Sequence, residues 1–181
     1  MRTRILFWLI LLIFPLALPC EENNTPTPLE LPPSSLMLYT KHLDLFGGWI
    51  IRTNPPRQGL LGQTEMSGEK VIDLFLRPAQ KQNHVRAVLA HELGHAFDRD
   101  HIDTATARQW MKLRGINPNA SWRPEGNTKS DDKSPAGDFA DCFAIILIGK
   151  NPILRPMKGP LTLKQAEFLR ARIKEVKDKK K

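Results

Sequence analysis

Val85, Leu89, Leu93 and Phe97 recur at every fourth position after Pro78. With about 3.6 residues per turn, this spacing lays them along one stripe of an α-helix, and no strand has that period. His91 and His95 fall on an adjoining face of the same helix, one turn apart. Two imidazoles so placed converge on one metal ion at about 2.0–2.1 Å, the bond length of zinc to histidine nitrogen. Glu92 projects about 100° further round the helix, so it reaches towards a metal-bound water instead of the ion. The run His91-Glu92-Leu93-Gly94-His95 therefore divides the labour of a hydrolytic zinc site. The ion lowers the pKa of water to roughly 7 and polarises a carbonyl, while the carboxylate carries the proton. Gly94 costs about 1 kcal/mol of helix propensity against alanine and lets another backbone come close.

The remaining pattern predicts an α+β fold. Trp49–Ile51 and Val71–Leu76 are short, β-favouring and bounded by glycine and proline. They read as strands of a small antiparallel sheet flanking the turn-rich stretch Asn54–Gly68. Thr104–Arg114 reads as a helix ending at Gly115, followed by a loop over Asn117–Lys133. Ser134 as N-cap and Pro135 in the first turn open a helix that runs through Ile148 to Gly149. A last amphipathic helix spans about Leu161–Val176. Trp110 and Trp122 are expected to cover the helical core, and Cys142 to be a small core residue.

The ends are of a different kind. Arg2 and Arg4 precede the apolar run Ile5–Leu18, which reads as a secretory signal peptide over residues 1–20. Fourteen residues of helix fall short of a roughly 30 Å hydrocarbon core, and Pro19 directly before Cys20 disfavours lipidation, although membrane tethering stays open. Residues 21–35, rich in proline and polar side chains, predict a flexible tether. The domain is expected over residues 36–177, with a basic tail at 178–181. The net charge is +8, with 27 Lys and Arg against 19 Asp and Glu, and much of the excess lies in Lys174–Lys181. No aromatic interleaving accompanies that charge, so nucleic acid is not an expected partner. Weak contact with a membrane surface or cell wall through the tail stays open. Two cysteines provide no disulfide framework.

HELGH at 91–95, together with Gly137-Asp138-Phe139-Ala140-Asp141 on the later helix, resembles the gluzincin-like zinc metallopeptidases, a zincin-type family, over roughly residues 65–148. The resemblance implies a glutamate zinc ligand on the second helix, followed four residues later by an acidic residue that supports the first histidine. Matching Asp141 to that supporting position puts Gly137 where the glutamate belongs. Three residues are candidates for the vacant role. Asp138 is preferred because it adjoins the position. Asp141 shares the face of 137. His101 completes the longer H-E-x-x-H-x-x-G-x-x-H pattern, with Asp98 in place of the glycine at which that chain turns. Asp98 and Asp100 are further candidates to accept a histidine N–H. Tyr39, the only tyrosine, is a remote candidate for oxyanion stabilisation and is read as a packing residue.

Two functions follow as expectations. In the first, His91, His95 and an acidic third ligand hold Zn2+, Glu92 is the general base, and a protein or peptide is cut. The resemblance further implies that Val71–Leu76 binds extended substrate by its edge. In the second, the chain is an exported binding module that keeps a zincin scaffold with a degraded site, for which Gly137 is the support.

Overall fold

Strand-forming sequence is scarce in this chain, and what exists is spent on one small sheet beneath the helix that carries the two histidines. The computed structural model describes residues 30–123 and 131–180. The expected signal peptide, Cys20, the first part of the tether, part of the loop after Asn117 and Lys181 lie outside the described residues.

Helix α1, Pro33–Lys41, begins three residues ahead of the expected domain start, with proline in its first turn and Ser35 and Leu38 turned inward. A single turn, α2 (Leu43–Phe46), follows. Strands β1 (Ile50–Asn54), β2 (Gly62–Thr64) and β3 (Val71–Phe75) form a sheet of order β1-β3-β2. The antiparallel pairing expected of the two strand segments read from the sequence is not what forms: β1 and β3 run parallel, Ile50 opposite Val71 to Asn54 opposite Phe75. A parallel pair needs a crossover, and the turn-rich stretch supplies it while contributing β2, antiparallel to β3. β3 is thus the central strand with both edges taken, which removes it as an edge for substrate. β2 is the edge strand lying against the histidine helix.

Helix α3, Gln82–His101, runs unbroken through the HELGH run. Its Leu89, Leu93 and Phe97 are buried against the core, as the four-residue spacing requires. Helix α4 (Thr104–Leu113) is capped by Asp103, whose carboxylate accepts from Thr106 N. A 3-10 turn at Asp131–Lys133 leads into α5 (Pro135–Ile148), capped by Ser134, and Gly149 at φ 80° ends it. Helix α6, Leu163–Asp178, opens with a capping box between Thr162 and Gln165. Phe139, Cys142 and Phe143 on α5 pack with Phe46, Phe97 and Trp110 into one core that joins the helices to the sheet. α3 and α5 pack against each other more extensively than any other two elements.

Candidate metal centre

The two histidines sit midway along α3, where the helix is pressed between β2 and α5. Their rings meet edge to face, with centroids 4.8 Å apart, and the two Nε2 atoms are 3.2 Å apart. Asp131, in the 3-10 turn ahead of α5, directs Oδ2 at both: 3.0 Å from His91 Nε2 and 2.8 Å from His95 Nε2. These are the described acidic, histidine and cysteine groups that converge closely enough to hold an ion. A tetrahedral zinc with bonds of about 2.0–2.1 Å sets its ligand atoms roughly 3.4 Å apart, so the three atoms here are slightly contracted from that geometry and fit it. Two nitrogens and one carboxylate oxygen are also the donor types of a catalytic zinc site that keeps a fourth position open. The Asp131 side chain is 44% exposed.

The electrostatics follow from that convergence. Burial pulls His91 towards the neutral form, but its hydrogen bonds to Asp131 and Asp141 outweigh burial and push its pKa up to about 10. Burial acts to raise Asp131, and the two histidines override it, holding the carboxyl far below the usual carboxylate range. The second nitrogen of His91 is equally committed. Asp141 Oδ1 accepts from Nδ1 at 2.8 Å, which orients the ring and aims Nε2 at the cluster. The other Asp141 oxygen accepts from Arg155 N.

Glu92 leaves α3 on the side facing β2 and is only 6% exposed. Thr64 Oγ1 lies 2.7 Å from its Oε2, and a Cβ at Gly62 would lie 2.6 Å from its Oε1. The strand thus passes over the carboxylate at a residue with no side chain and holds it at the next inward-facing one. In the antiparallel ladder with β3, Leu61 O and Glu65 N face β3. By alternation, Gly62 and Thr64 turn their backbone groups outward, to the edge that pairs with no other strand among the described residues.

The other expected residues lie elsewhere. Asp138, the preferred third ligand from sequence, is not in the cluster: one residue past 137 it rotates about 100° around α5 and meets Arg114. Arg114 Nε and Nη2 donate to its two oxygens at 2.8 and 2.9 Å, and Lys158 N donates to Oδ1. His101 is not in the cluster either. The helix does not turn at Asp98, so six residues beyond His95 carry it about 240° round the axis, where it packs on Phe97. Neither Asp98 nor Asp100 accepts from a histidine of the cluster. Asp98 accepts from Trp122 Nε1 and Arg123, and burial keeps its pKa raised against both. Asp100 accepts from Trp49 Nε1 and Lys70. The Tyr39 hydroxyl donates to Trp49 O. Cys142 is fully buried and burial pushes its thiol up. Asp131 is the residue sequence reasoning missed. Its one local signal is its place three residues before the Ser134-Pro135 helix start.

No curated protein and no solved structure matches the chain. The sequence profile of peptidase family M48 matches residues 58–146, a stretch that runs from just before β2 to near the end of α5 and takes in both histidines, Glu92, Asp131 and Asp141. Over residues 58–146 the chain is thus similar to peptidase family M48, a zinc metallopeptidase family of the zincin type.

Proposed function

We propose that the chain is a zinc-dependent peptidase in which His91, His95 and Asp131 hold the ion and Glu92 is the general base. The observation that carries this reading is the convergence of the two Nε2 atoms on one carboxylate oxygen, with Asp141 behind His91. A bound zinc ion supplies Lewis-acid polarisation of the scissile carbonyl and a lowered pKa for water. The chain's own residues do the rest. Glu92 takes a proton from the attacking water and delivers it to the leaving amine. Thr64 holds the carboxylate that makes this transfer, and Asp141 keeps the His91 ring in its ligating orientation. The outward amide and carbonyl groups of Gly62 and Thr64 are suited to pair with an extended peptide, which would place a peptide bond beside Glu92. The substrate class is therefore protein or peptide, and the same reading has the chain act after export behind Ile5–Leu18.

The degraded-module reading rests on Gly137, where the family pattern expects a glutamate. Zinc content and peptide cleavage separate the two. The wild-type chain should bind one zinc and cut casein or a peptide library, and Glu92→Gln should keep the zinc while its rate drops by roughly 10²–10⁴. Stoichiometric zinc with no cleavage of any peptide by the wild type would sink the enzyme reading in favour of the module.

A further inference from the structure

We infer that the carboxylate ligand of this centre is supplied by the turn ahead of α5 instead of by α5 itself, and that the missing side chain of Gly137 is what admits it. The inference rests on the metal-site reading above and deepens it. Asp141 sets the frame, because its hydrogen bond to His91 Nδ1 shows which face of α5 looks at the histidines. Position 137, one helical turn earlier, shares that face. A Cβ built there would lie 2.0 Å from the backbone O of Asp131, 2.7 Å from its carbonyl carbon and 2.8 Å from its Oδ2. The turn therefore runs through the space of a side chain at 137, and its carboxylate occupies the direction in which such a side chain would reach.

The turn is also fastened at that place. The Ser134 hydroxyl donates to Asp131, whose carbonyl O and Oδ1 both lie 2.9 Å away, and Ser134 N donates to Asp131 O. Gly137 N in turn donates to Ser134 Oγ at 2.8 Å. One serine thus caps the helix and fixes the ligand. Any side chain at 137 and the turn in this position exclude each other, so Gly137 marks an exchange of ligands and not the loss of one.

The prediction is that a substitution with no ligating atom to gain or lose removes a ligand. Zinc affinity is measured by competition with a chromophoric chelator on the full chain, for wild type, Asp131→Asn, Gly137→Ala and the double variant, with circular dichroism confirming the helices. Losing a ligand should exceed the roughly 10–100-fold effect of losing an outer hydrogen-bond partner. Asp131→Asn should therefore weaken binding by about 100-fold or more, Gly137→Ala by a similar factor, and the double variant by no more than either, the signature of one shared interaction. Should Gly137→Ala not fold, Ser134→Ala, which unfastens the turn without adding bulk, takes its place in the same cycle. Undiminished zinc binding by Asp131→Asn, or losses that multiply in the double variant, would overturn the inference. A wild type that binds no zinc would instead overturn the metal-site reading itself.

Discussion

Asp138 and Asp141 lie three residues apart on α5, both buried, yet they belong to two different regions of the molecule. Asp138 faces α4 and α6. There Arg114 donates to it twice and also to Gln165 Oε1 and Gly159 O, so that four chain segments are tied through one guanidinium. Asp141 faces α3 and is spent on orienting His91, whose other nitrogen points to the half-buried Asp131. The first region has every charge closed off: the Arg114 and Asp138 side chains are 1% and 0% exposed. The second is only partly closed, with the Asp131 side chain 44% exposed. A sequence of acidic residues on a helix does not tell these apart. The rotation of about 100° per residue does, because it decides which neighbour each carboxylate meets.

This contrast can be broken in four ways. Arg114→Ala leaves Asp138 buried without its cation, and removing one partner of such a pair costs about 3–5 kcal/mol. Urea unfolding should show that loss, while the chain that remains folded binds zinc as tightly as wild type. A parallel fall in zinc affinity would mean the two faces of α5 are not separable. Gly94→Ala acts at the seam between them, since a Cβ there would lie 2.7 Å from Ala140 Cα and 2.9 Å from Ala140 O. The helices must part, at about 1–3 kcal/mol, and because Asp141 moves with α5, zinc affinity should fall as well. Asp141→Asn should invert the Arg114 result: zinc binding about 10–100-fold weaker, with a smaller loss in the urea midpoint than Arg114→Ala gives.

The smallest effect is in the pH dependence of the metal-free chain. Burial lowers the pKa of His42 and of His101 below the ordinary 6.5. Below 6.5 the unfolded chain therefore binds more protons, and stability is lost as the pH falls. His91 acts with the opposite sign. Its pKa is raised to about 10, so its contribution is complete below 6.5 and drains away as the pH climbs towards 10. Stability measured with a chelator present should peak near pH 6.5. His91→Ala should flatten the alkaline arm only, and His101→Gln should shrink the acid arm only. An alkaline arm that survives His91→Ala would show that the ring is not charged between its two carboxylates.

Much of this was legible beforehand, for reasons that are local. The stripe Val85, Leu89, Leu93 and Phe97 predicts α3, and the serine-proline pair predicts the start of α5 at the residue where the structure begins it. Strand β2 was hidden because Gly62-Gln63-Thr64 has no alternation of its own and becomes a strand only by pairing with β3. The parallel direction of β1 was hidden for the same reason, since a crossover is a property of the chain path. Asp131 escaped because nothing about an aspartate in a polar loop distinguishes it. Its position depends on a backbone approach to Gly137 that only the folded chain contains. Gly137 itself was visible, as a vacancy, and what fills it was not.

The separation of the three groups along the chain has a consequence for how the centre is assembled. His91 and His95 are four residues apart on one helix and are brought together as soon as that helix forms. Asp131 lies 36 residues beyond His95, and closing a loop of that length costs about 3 kcal/mol in chain entropy. The nitrogen pair thus needs only α3 to form, whereas the oxygen reaches it only where α5 and its turn are docked on α3. An ion that required all three would be a late arrival, and once bound it would act as a clasp on the longest loop in the centre, so that a chelator should let the turn at Asp131 loosen before anything else does.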